Sequence, residues 1–151
     1  LRAHQYRGQM KQREIKFRAM YHDTADNTMK FAYGLVGWMD EKVVQLCVPN
    51  GKPIMRADTM NCIPGTLGQF TGLQDKNGKD IYERDAVRYR WRFTEGHRVG
   101  EVLFEERGFW AIDDHDKSIA AMLMNPNISD IEVIGNVFEI PELLPTNTTE
   151  G

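Results

Sequence analysis

The chain has 151 residues and a net charge of −3, and its 41% hydrophobic and 27% charged residues fit one globular domain with its own core. The two cysteines, Cys47 and Cys62, match no zinc or disulfide spacing, so we expect them to be buried as small hydrophobic side chains. No apolar run approaches the ~20 residues that a membrane helix needs, so we expect a cytoplasmic protein without a membrane partner.

Strand patterns begin close to the start of the chain. Residues 1–12 are polar and aperiodic, and we expect them to form a flexible extension. From Glu14 onward, polar and apolar residues alternate. One predicted face carries Ile15, Phe17, Ala19 and Tyr21, and the other carries Glu14, Lys16 and Arg18. This period of two predicts a half-buried β-strand.

Turn residues divide the middle of the chain into two predicted hairpins. The apolar runs 29–39 and 42–48 are separated by Asp40 and Glu41, which predicts the first hairpin. Residues 49–68 contain many prolines and glycines, so we expect a loop with at most one short strand there. A second hairpin is predicted around Asp75–Gly78, where the sequence suits a type I turn followed by a left-handed glycine.

The second half of the chain also has the features of a β protein. Strands are predicted at 86–93, 99–105 and 109–112, with a tight connection at 106–108. A short helix is predicted at 117–124, because Asp116 can cap it and Asn125 and Pro126 can end it. A long last strand runs through Ile131 and Val133. About nine short strands and one short helix predict an all-β domain, a small barrel or sandwich.

Three separate blocks of the sequence resemble a known protein family. The blocks are Arg13–Ala19, Thr71–Glu83, and Glu132–Glu139 followed by Pro141–Leu144. In composition, order and spacing they are similar to the YopX family of bacteriophage and prophage proteins. The resemblance covers residues 13–144 and predicts a single YopX-like domain at 13–145, followed by a tail at 146–151.

The YopX resemblance implies a small intracellular β-rich protein of phage origin that associates with itself. It carries over no catalytic residue and no cofactor. This chain departs from the family pattern at Tyr82-Glu83-Arg84-Asp85, where the family tends to have glycine in place of Arg84. If the glycine has a positive φ, Arg84 costs about 1 kcal/mol at this position unless the turn is built differently.

Arginines alternate with large apolar residues along the strand predicted at 86–93. Arg88, Arg90 and Arg92 share one face of this strand, and Arg98 could extend their row from the next strand. Such a row could bind the phosphates of single-stranded nucleic acid. The simpler interpretation is a solvated arginine face above a core of Val87, Tyr89, Trp91 and Phe93.

Charge is divided unevenly along the chain. Residues 1–100 carry a net charge of +6, and residues 101–151 carry −9. This division favours a homo-oligomer in which acidic and basic patches of neighbouring subunits meet. The alternative is that strands from both parts lie side by side in one subunit and mix the charges.

No motif of the sequence indicates catalysis. Asp113, Asp114, His115 and Asp116 could hold a hard cation, but aspartates before a helix more often cap it. The chain has no phosphate-binding loop, nucleophile motif or calcium loop, so we expect no enzyme, metal or cofactor. The sequence therefore predicts a self-assembling binding module, with nucleic-acid binding as the alternative.

Overall fold

Two antiparallel sheets form the fold of the described residues, which are 14–39, 42–46, 59–106, 108–113 and 121–143 in this computed structural model. The first sheet has the strand order β4-β3-β2-β1-β5-β6, and the second has the order β10-β9-β8-β7-β11. The all-β prediction is therefore confirmed. The strands are β1 (Phe17–Asp23), β2 (Thr28–Met39), β3 (Lys42–Leu46), β4 (Thr59–Asn61), β5 (Gly68–Gln74), β6 (Asp80–Tyr82), β7 (Asp85–Trp91), β8 (Arg98–Glu105), β9 (Phe109–Asp113), β10 (Ala121–Met122) and β11 (Ile128–Asn136).

The predicted hairpins lie where the turn residues indicated. The first predicted hairpin is formed by β2 and β3, which pair from Leu35↔Leu46 to Met39↔Lys42. β1 and β2 also pair without interruption, from Phe17↔Gly34 to Asp23↔Thr28, which was not predicted. β5 and β6 form the second predicted hairpin, and Gly78 in its turn has a φ of 81°, in the left-handed region that favours glycine. β8 and β9 pair around Gly108. Alternation together with turn residues was thus sufficient to place the β2–β3, β5–β6 and β8–β9 pairs.

The main core lies on one face of the second sheet. Val87 and Tyr89 of β7 pack there with residues from β8, β9 and β11, and Ile81 of β6 covers them from the first sheet. A smaller cluster of Ala19, Ala32 and Cys62 lies on one face of the first sheet. Cys62 is buried as expected, whereas Cys47 lies outside the described residues.

The hairpin β5–β6 joins the first sheet to the second. At its turn, the Lys76 amide donates to the Ile131 carbonyl of β11 at 2.9 Å. The Val133 amide of β11 donates to the Asp75 carboxylate at 2.9 Å. The sheets are joined a second time by Arg18 of β1, whose guanidinium lies 2.6 Å from the Asp85 carboxylate of β7. These contacts fix the position of β11 and β7, which carry the candidate site.

Three features differ from the sequence predictions. The predicted helix at 117–124 is not formed over its last four residues, because Ala121 and Met122 pair with β9 and residues 123–124 form a turn. Its first four residues lie outside the described part, as do the predicted extension at 1–12 and the tail at 146–151. The strand predicted to end at Phe93 ends at Trp91. Arg18, expected on the polar face of β1, is buried.

Among the described residues, helical structure is limited to two single 3₁₀ turns, Pro64–Thr66 and Pro141–Leu143. None of the helices in this part of the chain has the length and apolar character needed to cross a membrane.

Candidate functional site

The four arginines of the candidate nucleic-acid site do not form one row. Arg88 and Arg90 lie on the exposed face of β7, opposite the buried Val87 and Tyr89. Arg92 lies in the turn after β7, because the strand ends one residue earlier. Arg98 of β8 pairs with Tyr89, and directly paired residues of antiparallel strands share a face. Arg98 therefore lies on the Tyr89 side of the sheet and does not extend the Arg88–Arg90 row.

Arg88 is held in an ion-pair network. Its guanidinium lies 2.6 Å from the Glu132 carboxylate of β11, and Lys76 of the β5–β6 turn lies 2.8 Å from the same group. Hydrogen bonds from Lys76 and Arg88 lower the pKa of Glu132 to about 2. Glu132 stays ionised at neutral pH, so much of the Arg88 charge is already compensated.

Arg90 and Arg92 are less constrained. Arg90 lies 3.7 Å from Asp130, and both side chains are more than half exposed. Its Nε also lies 3.4 Å from the His97 ring. Arg92 is exposed and makes no ion pair with a carboxylate of the described residues. These two guanidinium groups are therefore accessible to an anion from solvent.

An open groove of about 500 Å³ lies beside these two arginines. One wall is the end of β7 with the turn after it, and the other is the segment that leads into β11. The Arg92 amide donates to the Asn127 carbonyl at 2.9 Å and holds the two walls together. The lining residues are Arg90, Trp91, Arg92, Thr94, Glu95, Gly96, Pro126, Asn127 and Ser129.

An aromatic pair lies at the same end of β7. The Trp91 and Phe93 rings meet edge to face, with their centres 5.8 Å apart. Trp91 packs against the main core, whereas Phe93 is 69% exposed. Phe93 was predicted as a core residue; it lies outside the core because the chain has already left the strand. The residues Thr94, Glu95 and Gly96 were the sequence signal for this early end.

The acidic residues at 113–116, which were the candidate cation ligands, form no metal site among the described residues. Asp113 ends β9, whereas Asp114, His115 and Asp116 lie outside the described residues. Among the described residues, no three His, Cys, Asp or Glu side chains converge as metal ligands would. The groove is the arrangement with a recognisable chemistry at this end of β7, because its lining combines two arginines with hydrogen-bonding side chains and one carboxylate, Glu95. The exposed Phe93 ring follows Arg92 in the turn and is not one of the lining residues.

Comparison with known proteins agrees with the fold. The family model described as YopX protein matches residues 6–145 of the chain. The crystal structure of YopX from Bacillus subtilis is similar with a TM-score of 0.50 and 20% identity, and the match covers 86% of this chain and 98% of that one. Protein EF1440 from Enterococcus faecalis is similar with a TM-score of 0.50 and 25% identity, covering 87% and 99% of the two chains. No curated protein matches the sequence. Since the family match spans nearly its whole length, the chain belongs to the YopX family.

Proposed function

We propose that the protein is a non-catalytic binding module, and that the groove beside Arg90 and Arg92 binds single-stranded nucleic acid. The observation that carries this proposal is the position of two accessible guanidinium groups in one groove, at the end of β7 where the exposed Phe93 ring packs on the groove-lining Trp91. A phage or prophage origin and a cytoplasmic location are part of the same proposal.

Single strands are bound without sequence preference by a combination of cations and aromatic rings. The cations contact successive phosphates, and bases stack on the rings with about 1–3 kcal/mol per base. Arg90 and Arg92 supply the cations, and Phe93 supplies a ring that the core does not cover. Thr94, Asn127 and Ser129 add hydrogen-bonding groups to the groove walls.

The overall charge of −3 does not oppose binding at this groove. Charges farther away than the Debye length of about 8 Å at physiological salt are largely screened. Several acidic groups are also compensated by cations of the same chain, as Glu132 is by Arg88 and Lys76. The local surroundings of Arg90 and Arg92 therefore decide whether a phosphate is attracted, and there a phosphate would compete with Asp130, 3.7 Å from Arg90, and with the groove-lining Glu95.

The test is fluorescence anisotropy of a labelled oligothymidine at 50 and 200 mM NaCl. We expect binding that weakens with salt, and at least a tenfold loss of affinity in the double variant Arg90→Glu/Arg92→Glu. Phe93→Ala is expected to weaken binding at both salt concentrations, since stacking does not depend on ions. The matched control is Arg88→Gln, which alters an arginine of the same strand whose charge Glu132 already compensates. Unchanged affinity in the double variant, or an equal loss in the control, would contradict the proposal.

Self-association is the second candidate function, and a different surface favours it. Phe104 is 53% exposed although its ring packs edge to face on Trp110, at a centre distance of 4.9 Å. The Leu123 amide donates to the Trp110 carbonyl, which brings the 74% exposed Met124 to the same end of the sheet. Large apolar side chains that stay exposed at one end of a sheet are candidates for a protein interface. Light scattering of wild type and Phe104→Ser measures the mass of the assembly. If the protein associates through this surface, the variant has a lower mass than the wild type.

A further inference from the structure

A second cleft, of about 510 Å³, lies on the first sheet, between residues of β1 and β2 and the β5–β6 hairpin at the end of that sheet. Its size is that of small-molecule sites in proteins. Its lining residues are Lys16, Arg18, Tyr33, Gln74, Gly78, Lys79, Asp80 and Tyr82, none of which lines the arginine groove.

The inner part of this cleft is rigidly built. The Arg18 guanidinium lies 4.7 Å from the centre of the Phe31 ring and 4.8 Å from that of Tyr82. Asp85, which is 1% exposed, binds Arg18 at 2.6 Å and accepts the Tyr82 amide at 2.8 Å. Stacking, an ion pair and a backbone hydrogen bond thus hold the same few side chains, so little order would be lost when a ligand binds.

Tyr33 gives the cleft an aromatic wall. Its ring packs on Tyr82 at a centre distance of 5.8 Å and an angle of 65°. Even so, Tyr33 is 49% exposed, which leaves ring surface available to a ligand. A fixed and half-exposed ring is a suitable surface for a second planar group to stack on.

Cations outnumber carboxylates in the cleft. Lys16, Arg18 and Lys79 line it, and Asp80 is the acidic residue among its lining side chains. Asp80 compensates Lys16 at 2.6 Å, and Asp85 compensates Arg18. The exposed Lys79 makes no ion pair with a carboxylate of the described residues. Glu14 also lies 3.3 Å from Lys16. Lys79 is therefore the lining cation that no carboxylate of the described residues holds in an ion pair, and its ammonium group is the one that a ligand can reach.

We propose that this cleft binds a small aromatic anion, with its planar ring against Tyr33 and its phosphate or carboxylate at Lys79. The juxtaposition of a fixed, half-exposed ring and an exposed ammonium group that makes no ion pair among the described residues carries the proposal. The site is independent of the arginine groove, and it requires no chemical step on the ligand.

The test is isothermal titration of the full chain with 5′-AMP, adenosine, benzoate and inorganic phosphate as separate probes. We expect saturable binding of 5′-AMP, benzoate or both, and at least tenfold weaker binding of adenosine and of inorganic phosphate. AMP and benzoate distinguish a phosphate from a carboxylate ligand. Binding of adenosine as tight as that of 5′-AMP, or the absence of saturable binding for both anions, would overturn the proposal.

Substitutions in the cleft test which side chains the ligand contacts. Tyr33→Leu and Lys79→Gln are each expected to weaken binding of the aromatic anion by about tenfold, whereas Tyr33→Phe and Lys79→Arg retain it. The double variant Arg90→Glu/Arg92→Glu is expected to keep this binding, and Tyr33→Leu to keep the affinity for oligothymidine. The proposal for the cleft and the proposal for the arginine groove are therefore tested independently. Equal loss in Tyr33→Leu and Tyr33→Phe, with both variants folded by circular dichroism, contradicts the stacking contact.

Discussion

Asp75 stabilises the β5–β6 turn and also connects this turn to β11. Its carboxylate accepts the amides of Asn77 and Lys79 within the turn, at 2.8 and 2.9 Å, and that of Val133 in β11 at 2.9 Å. Burial by itself would raise the pKa of Asp75, but the three amide donors outweigh it and lower the pKa below its ordinary value of 3.8. One side chain thus connects the local turn with the packing of the two sheets.

We predict that Asp75→Asn lowers the free energy of unfolding by about 2–3 kcal/mol, because the amide group has one acceptor oxygen and leaves a buried N–H without a partner. Urea unfolding at pH 7 measures this loss. Asp26→Asn, in the exposed β1–β2 turn, is the matched control and is expected to shift the urea midpoint little. The Asp75 contribution is complete above pH 3.8 and is lost as the pH falls through the lower pKa of the folded chain. Equal stability of wild type and Asp75→Asn at pH 7 contradicts this role.

Arg84 has a left-handed backbone, with a φ of 69°. The positive φ inferred for the glycine typical of the family is therefore present here, at a non-glycine residue. The Arg84 side chain lies 2.5 Å from the Glu101 carboxylate, whose side chain is 6% exposed. It also lies 5.7 Å from the centre of the Phe138 ring. Backbone strain and a side-chain ion pair thus act in opposite directions at this position.

We predict that Arg84→Gly destabilises the chain by about 1–2 kcal/mol. Glycine removes the backbone strain, which raises the free energy of unfolding by about 1 kcal/mol. The buried Glu101 carboxylate then lacks its cation, and this loss is larger, even though Arg84 is partly exposed. The double variant Arg84→Gly/Glu101→Gln is expected to regain wild-type stability or exceed it. Thermal unfolding of the single and double variants measures both effects. A more stable Arg84→Gly variant would mean that strain outweighs the ion pair.

At the level of elements, the sequence was most informative where local rules determine the structure. Hairpins follow from side-chain alternation and turn residues, so the β2–β3, β5–β6 and β8–β9 pairs could be predicted. β10 has two residues and is a strand because it pairs with β9, which no local pattern shows. Arg18 is buried because Asp85, 67 residues away in sequence, compensates it. Such distant pairing, like the walls of both clefts, depends on the tertiary structure.

Glu132 connects β11 to two other elements, since both Lys76 of the β5–β6 turn and Arg88 of β7 bind it. Its pKa of about 2 in the folded chain lies below the ordinary value of 4.5. The ionised form is therefore stabilised by folding, and this contribution is complete above pH 4.5 and is lost as the pH falls toward 2. Urea unfolding from pH 7 to 2.5, in which the denaturant adds no ions, is expected to show wild type and Glu132→Gln converging in stability below pH 4.5. Parallel curves over this range would show that the network contributes no pH-dependent stability.

At the level of the whole molecule, the uneven distribution of charge along the sequence does not become two separate patches among the described residues. β7 from the basic part pairs with β11 from the acidic part. Arg88 meets Glu132, Arg90 lies near Asp130, and Arg84 meets Glu101 across this division. Of the two interpretations left open by the sequence, mixing of charges within one subunit describes this part of the chain better.

The mixing of charges leads to a prediction about salt. If subunits associated through complementary acidic and basic patches, 1 M NaCl would dissociate them, because the Debye length then falls to about 3 Å. Since ion pairs within one chain already join residues of its basic and acidic parts, association through Phe104 and Met124 would depend on apolar burial, which salt does not weaken. We therefore expect light scattering to give the same or a higher mass at 1 M NaCl than at 50 mM. Phe104→Ser is expected to lower the mass at both concentrations. Dissociation by salt alone would instead point to charged patches as the interface, and a monomer under all conditions would exclude self-association.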